Sequence, residues 1–168
     1  MRRFVPLLLL LAACSHAASS APGPTSKPGT LEPNATLERV VDGDTIVVTL
    51  DGAKEKVRLI GIDTPETKKP DTPVQCFGPE ASAFTSSLLA AGTPLHLERD
   101  VEARDKYGRL LAYVYRVGDG MFVNLNIVAS GYARLLTIPP NVAHTAEFVK
   151  AARAAEQQNI GLWAGCSG

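Results

Sequence analysis

Two Asp-Gly dipeptides, Asp42-Gly43 and Asp51-Gly52, divide a strand-forming stretch of the chain into three short pieces. Asp-Gly favours the tight turn of a β-hairpin, because glycine readily adopts the positive φ angles of such turns. The sequence therefore predicts three antiparallel strands over residues 35–41, 44–50 and 54–62. A fold that opens with this meander does not alternate strands and helices as a parallel α/β sheet does.

The elements after the meander are predicted as one helix, two strands and two further helices. Residues 63–77 contain three prolines and are predicted to form a long loop, where functional residues are often found. The first helix opens at Gly78-Pro79 and ends at Gly92, with inward residues Ala83, Phe84, Leu88 and Leu89. Strands follow over 94–99 and 110–117, and helices over 122–130 and 142–158. This order predicts a β-rich α+β fold, a five-stranded OB-fold barrel with three packed helices.

The first thirteen residues have the pattern of an export signal. Arg2 and Arg3 precede an apolar run over residues 4–11 that is too short to span a bilayer. The end of this segment, Leu11-Ala12-Ala13-Cys14, resembles the lipobox of bacterial lipoproteins, in which the cysteine becomes the lipidated first residue. An ordinary cleaved signal beside a chance cysteine is the alternative.

The lipobox reading divides the chain into three parts. Residues 1–13 are a signal peptide, residues 14–34 are the lipidated Cys14 and a flexible tether, and residues 35–168 are one folded domain. The protein is then expected to be exported and held in the cell envelope by its lipid, and Ser15 is compatible with an outer-membrane destination. With an ordinary signal it is expected to be secreted.

Cys76 and Cys166 remain as an even pair once Cys14 carries lipid. Disulfides persist in the compartments that exported proteins reach, so a Cys76–Cys166 bond is predicted. Closing a loop of this length contributes about 4 kcal/mol in the chain-entropy model. Two free thiols are the alternative.

The overall charge gives no reason to propose a nucleic-acid partner. The chain has 17 Lys and Arg against 17 Asp and Glu, and removal of the signal takes Arg2 and Arg3, which leaves 15 against 17. The mature chain, with a formal charge of −2, is not a polycation. Any claim about nucleic acid must therefore rest on local chemistry.

Three acidic residues are predicted to converge where neighbouring strands end, namely Asp42, Asp44 and Asp63. Carboxylates gathered from different strand ends suit a hard divalent cation such as calcium. Arg58 precedes Asp63 by five residues, which puts the two on opposite faces of a regular strand, so a bend near Gly61 is needed if both face one ligand. Asp42 is equally well explained as a hairpin-turn residue.

Four blocks of sequence, in this order, resemble the thermonuclease (staphylococcal-nuclease-like) family. They are Val41-Asp42-Gly43-Asp44-Thr45, the run from Arg58 to Glu66, Gly78-Pro79-Glu80-Ala81 and Asp105-Lys106-Tyr107-Gly108-Arg109. The resemblance implies an OB-fold and a calcium-dependent nuclease that acts on DNA and RNA and leaves 3′-phosphates. It also implies that the Asp44 and Asp63 side chains and the Thr64 carbonyl bind Ca2+, with Glu66 as general base or water-orienting group.

The same resemblance implies that Arg58 and Arg109 bind the scissile phosphate and stabilise the transition state, because a guanidinium can form paired hydrogen bonds to phosphate. Lys106 and Tyr107 would contact the neighbouring phosphate. Taken alone, Arg58 reads as a surface strand residue, and Lys106-Tyr107-Gly108 reads as a hairpin turn.

One segment departs from the family. Where the family carries tyrosines that flank the substrate base, this chain reads Arg134-Leu135-Leu136-Thr137-Ile138-Pro139-Pro140. Weaker stacking on nucleobases is therefore expected. Two other functions are weighed: a catalytically silent OB-fold module that binds nucleic acid or protein, and an envelope lipoprotein with a structural role. The retained acids and arginines favour the enzyme, and the protein is expected to be a monomer.

Overall fold

The computed structural model describes residues 31–68 and 73–166. The predicted signal peptide, Cys14 and the tether as far as residue 30 lie outside the described residues. Glu32 and Asn34, assigned above to the tether, contact the folded domain. The Glu32 carbonyl lies 2.8 Å from His96 Nδ1, and Asn34 exchanges side-chain hydrogen bonds of 2.9 and 2.8 Å with the backbone of Leu97. In the described part of the chain, no helix has the length and apolar character needed to cross a membrane.

Eight strands and four helices follow one another within residues 31–68 and 73–166. The strands are β1 (Ala35–Asp42), β2 (Thr45–Leu50), β3 (Ala53–Leu59), β4 (Gly61–Asp63), β5 (Pro94–Glu98), β6 (Leu110–Arg116), β7 (Met121–Phe122) and β8 (Arg134–Leu136). The helices are α1 (Gly78–Leu88), α2 (Val123–Ala129), α3 (Thr145–Gln157) and α4 (Leu162–Gly165). Helix α1 lies between β4 and β5, and the other helices follow β7.

Five strands close into a barrel. Their order is β3-β2-β1-β5-β6 with antiparallel neighbours, and β6 returns to pair with β3 in parallel, with Val57 opposite Leu110. Apolar side chains from every strand of the barrel fill its interior, among them Leu37, Ile46, Val57, Leu95 and Val114. The closed barrel with its helices confirms the predicted OB-fold of the α+β class.

Asn124 attaches helix α2 to the barrel. Its side chain is fully buried, and Oδ1 accepts the Val114 N–H (2.9 Å) while Nδ2 donates to the carbonyls of Ile60 (3.0 Å) and Ala112 (3.3 Å). A buried amide with these three bonds leaves few unsatisfied groups at the point where β3 ends. It thereby fixes the corner on which the candidate site depends.

The strand predicted over residues 54–62 breaks at Ile60, and β4 begins at Gly61 with φ of +83°. The bend predicted near Gly61 is thus confirmed. A Cβ added at Gly61 would lie 2.4 Å from Cε2 of Phe148, a core residue of α3, so both the backbone angle and the close packing require glycine. Strand β4 then pairs with β8 outside the barrel.

Several predicted boundaries were wrong. Helix α1 ends at Leu88 rather than at Gly92, whose N–H donates to the Leu37 carbonyl (2.8 Å), and Ala83 is exposed. The last helix starts at Thr145 rather than at residue 142, because the Ala143 N–H donates to the Asp100 carboxylate (3.0 Å). The short elements β7, β8 and α4 were not predicted.

Cys76 and Cys166 form a disulfide, as predicted, with an S–S distance of 2.05 Å. The bond joins the loop that precedes α1 to the residue that follows α4. The last helix is therefore covalently attached to the same loop that carries Glu66.

Candidate active site

An open cleft of about 980 Å³ lies beside the β1–β2 turn, the β3–β4 bend and the loop before β6. All of the predicted catalytic, metal-binding and substrate-binding residues line it, namely Asp44, Arg58, Asp63, Thr64, Glu66, Lys106, Tyr107 and Arg109. These residues come from three separate stretches of sequence, at Asp44, over residues 58–66 and over residues 106–109. The fold therefore brings together the whole set that the sequence singled out.

Asp44 is held rigidly in the β1–β2 turn. The turn residues are Gly43 and Asp44 rather than Asp42 and Gly43, since Asp42 still pairs with Thr45 across the hairpin. Asp44 Oδ2 accepts hydrogen bonds from the backbone N–H (2.9 Å) and hydroxyl (3.0 Å) of Thr64, and Oδ1 accepts the Thr45 hydroxyl (2.9 Å). A Cβ at Gly43 would lie 2.8 Å from Thr64, so glycine permits this approach.

Arg58 pairs with two carboxylates at once. Nη1 lies 3.2 Å from Asp44 Oδ2 and Nη2 lies 2.9 Å from Asp63 Oδ1, while Nη1 also donates to the carbonyls of Leu59 (3.1 Å) and Ile62 (2.9 Å). The Arg58 side chain is 11% exposed, so these charge-assisted bonds form largely out of water. The Gly61 bend makes the arrangement possible, because Arg58 and Asp63 would otherwise face apart.

Asp63 is the open member of this cluster, with 56% of its side chain exposed. Partial burial raises the pKa of Asp63, and Arg58 lowers it, while the negative charges of Asp44 and Glu66 raise it further. The net pKa is raised, so Arg58 does not fully compensate for burial and for the two neighbouring acids. Three acids thus interact electrostatically at one end of the cleft.

The donor atoms present at this end fit a calcium ion. Within residues 31–68 and 73–166, no three acidic, histidine or cysteine side chains lie close enough to hold a metal by themselves. Two carboxylates supplemented by backbone oxygen and water form the hard donor set that calcium accepts. Burial is the main cause of the raised pKa of Asp63, and a divalent cation would relieve the smaller contribution that comes from repulsion by Asp44 and Glu66.

Glu66 is held on both sides by its own loop. Its Oε1 accepts the N–H groups of Thr67 (3.0 Å) and Lys68 (2.8 Å). Its backbone N–H donates to Gln75 Oε1 (2.9 Å), and its carbonyl accepts the Gln75 N–H (3.0 Å). Gln75 also lines the cleft, although nothing in the sequence indicated a role for it.

Asp42 supports the site without being one of the predicted ligands. It is buried, and Oδ1 accepts the Gly43 N–H (2.9 Å) and the Thr67 hydroxyl (2.9 Å). Burial and a hydrogen bond with the Glu66 carboxyl raise the pKa of Asp42, and the bonds from Gly43 and Thr67 offset this only in part. Asp42 is therefore the last residue of β1 rather than a turn residue, and its carboxylate contacts the loop that carries Glu66.

The segment before β6 presents Arg109 from a tight turn. Asp105 Oδ2 accepts the Arg109 Nε–H (2.6 Å), and Oδ1 accepts the backbone N–H groups of Tyr107 (2.9 Å) and Arg109 (3.0 Å). Burial alone would raise the pKa of Asp105, but these hydrogen bonds outweigh it and lower the pKa. The Tyr107 ring is 72% exposed, with Lys106 Nζ 5.1 Å and Arg109 Cζ 5.5 Å from its centre.

The rim of the cleft is aliphatic where the sequence departs from the family pattern. Leu136 and Ile138 line the cleft and are 38% and 58% exposed. Neither side chain has the flat aromatic face on which a base would stack, so Tyr107 supplies the aromatic surface among the described residues that line this cleft.

A family model described as staphylococcal nuclease homologue matches residues 56–165, which is most of the folded part of the chain. The chain belongs to the staphylococcal nuclease homologue family. The match begins within β3 and includes Arg58, the β3–β4 bend, the Glu66 loop and the Asp105–Arg109 turn. Apart from Asp44 in the β1–β2 turn, the predicted site residues therefore lie within the matched region.

Named relatives of this staphylococcal nuclease homologue cover most of the chain. The thermonuclease of Staphylococcus intermedius is 46% identical over 127 residues, 76% of this chain and 74% of that protein. The thermonuclease of Staphylococcus hyicus is 43% identical over 125 residues, 74% of this chain and 72% of that protein. The SPbeta prophage-derived endonuclease YokF of Bacillus subtilis (strain 168) is 44% identical over 132 residues, 77% of this chain but 44% of that protein.

Proposed function

We propose that this protein is an exported, calcium-dependent nuclease that hydrolyses phosphodiester bonds in DNA and RNA and leaves 3′-phosphates. One observation carries the proposal: the Arg58 guanidinium pairs with both Asp44 and Asp63 at the cleft, where the charge of Glu66 also acts on Asp63. Relatives named thermonuclease and endonuclease support the same reaction class.

Asp44, Asp63 and the carbonyl of Thr64 are the residues that would hold calcium. When bound there, calcium would supply positive charge that neutralises a phosphodiester and favours ionisation of water. The N–H and hydroxyl of Thr64 fix the direction of the Asp44 carboxylate before any ligand arrives. Preorganisation of this kind lowers the cost of ordering the site when it binds substrate.

Glu66 is proposed as the general base or water-orienting group. As a base, its carboxylate accepts a proton from the attacking water while the water oxygen forms a bond to phosphorus. The bond from phosphorus to the 5′ oxygen then breaks, the 5′ oxygen takes a proton from water and leaves as a hydroxyl, and the phosphate stays on the 3′ end. Thr67 and Lys68 N–H groups fix the carboxylate, which is what aiming a water in line with the leaving oxygen requires.

Arg58 and Arg109 are proposed to bind the scissile phosphate and stabilise the charge that develops on it. Asp105 engages Arg109 through Nε, and a guanidinium has four further N–H donors. Lys106 and Tyr107 extend the surface toward the neighbouring phosphate. Since the mature chain is close to neutral, polymer binding should be modest and weaken as salt rises.

Export and anchoring belong to the same proposal and rest on the leader sequence. Residues 1–13 would direct the chain out of the cytoplasm, and a lipid on Cys14 would attach a monomer to the cell envelope. Labelling with a radioactive fatty acid tests this directly. Label on the wild-type protein that is lost in Cys14→Ser supports the anchor, and equal labelling of both contradicts it.

Cleavage assays with matched variants test the enzyme. The purified protein is incubated with DNA and RNA in calcium or in chelator, beside Glu66→Gln and Arg109→Ala. Each variant should lose about 100-fold or more in rate, whereas Glu80→Gln on α1 and Arg153→Ala on α3, both exposed, should stay within about twofold of wild type. No cleavage by the wild type under any metal condition would remove the nuclease proposal, and unchanged cleavage by both site variants would remove the assignment of residues.

A further inference from the structure

Gln75, which lies shortly before α1, forms two hydrogen bonds with the backbone of Glu66. Its side-chain oxygen accepts the Glu66 N–H (2.9 Å) and its own N–H donates to the Glu66 carbonyl (3.0 Å). These two hydrogen bonds fix the backbone of Glu66 and therefore the direction in which its side chain extends. Gln75 is exposed, and exposed hydrogen bonds between mobile groups are individually weak.

Cys76, the residue after Gln75, attaches this part of the loop covalently to the C-terminal part of the fold. Cys76 is bonded to Cys166, which directly follows helix α4. The start of α4 is attached to the core, since the Leu162 N–H donates to the Gly131 carbonyl (2.8 Å) and Leu162 is 1% exposed. The disulfide therefore ties the residue beside Gln75 to a rigid part of the fold.

Contacts on both sides of the bond strengthen this attachment. A Cβ at Gly161 would lie 2.3 Å from the Gly131 carbonyl oxygen, so α4 begins in close backbone contact with the turn after α2. The Phe77 ring lies 5.2 Å from that of Tyr132 and packs against Gly165. Gln75 is thus held next to a well-packed corner, although it lies on the surface itself.

We propose that Gln75, held in place by the Cys76–Cys166 disulfide, is a positioning residue for Glu66, so that reduction of this disulfide slows catalysis. The inference rests on the proposed nuclease function. A dithiol reductant delivers two electrons and two protons, the S–S bond becomes two thiols, and the reductant is oxidised to a disulfide. Cys76 is exposed, so the bond is open to such a reagent.

The kinetic test compares oxidised wild type, reduced wild type, Gln75→Ala and the double variant Cys76→Ser with Cys166→Ser. Reduction, removal of the disulfide and Gln75→Ala should each lower kcat about 5- to 10-fold and leave KM within about twofold, because they misplace Glu66 without touching phosphate-binding groups. Gln157→Ala, an exposed glutamine on α3, serves as the matched control and should leave both constants unchanged. Combining Gln75→Ala with loss of the disulfide should cost no more than either change alone.

Amide hydrogen exchange in the substrate-free protein gives a readout independent of activity. Exchange at the Glu66 N–H should accelerate about tenfold in Gln75→Ala and on reduction, whereas the Thr64 N–H, which bonds to Asp44, should keep its rate in Gln75→Ala. Both kinetic and exchange responses together support the proposal. Unchanged kcat in Gln75→Ala, or an unchanged Glu66 exchange rate on reduction, overturns it. An inactive wild type whose Glu66 exchange still responds would instead locate the failure in the proposed function.

Discussion

Substitution of Gly61 by alanine tests whether the β3–β4 bend both stabilises the fold and assembles the site. Gly61 has φ of +83°, and an alanine there costs about 1–2 kcal/mol in backbone energy. Its Cβ would also lie 2.4 Å from Cε2 of Phe148, which is 2% exposed and has little room to move. Overpacking of this kind adds about 1–3 kcal/mol. Gly61→Ala should therefore lower the free energy of unfolding by about 2–5 kcal/mol.

Gly52 provides the matched control. It has nearly the same angle, φ of +79°, but a Cβ there would meet nothing within 4 Å. Gly52→Ala should cost only the backbone energy, about 1–2 kcal/mol, because no atom would contact the new Cβ. Equilibrium urea denaturation at neutral pH measures both values.

A double variant isolates the contact between the two side chains. Phe148→Leu removes the ring edge that the new Cβ would meet, so Gly61→Ala should cost at least about 1 kcal/mol less in that background. Equal losses of unfolding free energy for Gly61→Ala and Gly52→Ala, with no smaller loss in the Phe148→Leu background, would contradict the predicted steric contact. That result would mean that the close approach of Phe148 does not require glycine at the bend.

Three further predictions concern polar groups that are buried or partly buried. Asn124→Ala should lower the free energy of unfolding by about 3 kcal/mol, because three buried backbone groups lose their partner. Asn126→Ala on the same helix should change it by under about 0.5 kcal/mol, and urea denaturation distinguishes the two variants. Arg58→Lys should cost about 2 kcal/mol in the same measurement, since one ammonium group cannot replace a fork that contacts two carboxylates and two carbonyls; a loss under about 0.5 kcal/mol contradicts this. The pKa of Asp105 is lowered in the fold from its ordinary value of 3.8, so its contribution to the free energy of unfolding is complete above that value and is lost as pH falls through the lower folded value. Asp105→Asn should therefore lower the free energy of unfolding by about 1–2 kcal/mol at pH 7 and by much less near pH 2. An equal loss at both pH values would contradict this prediction.

The barrel could be predicted from the sequence because it depends on local signals, and the site residues that the family resemblance implies lie together at one cleft. Asp-Gly turns and alternating strands marked the meander, and the Arg58-to-Asp63 spacing pointed to a bend near Gly61. The pairing of Arg58 with both Asp44 and Asp63 could not be predicted, because it depends on how far the chain turns at Gly61. The bend also packs closely against Phe148, which is distant in sequence.

Contacts made by surface loops left no signal in the sequence. Gln75 resembles any polar loop residue, and its role became visible only through its two bonds to Glu66. Helix α3 was predicted to begin too early because the apolar pattern continues through Val142, whereas Asp100 captures the Ala143 N–H outside the helix. Elements of two to four residues, such as β7 and α4, are too short to show a period.

Calcium-titrated cleavage with identification of the product ends tests the proposed calcium-dependent nuclease activity directly. The full-length protein is given a single-stranded DNA oligonucleotide and an RNA of the same sequence, and initial rates are measured from chelator to excess calcium beside Asp44→Asn. We expect the initial rate to depend saturably on calcium, both products to carry 3′-phosphate ends, and the rate of Asp44→Asn to be at least about 100-fold lower. Full cleavage in chelator, or an undiminished rate in Asp44→Asn, would contradict it.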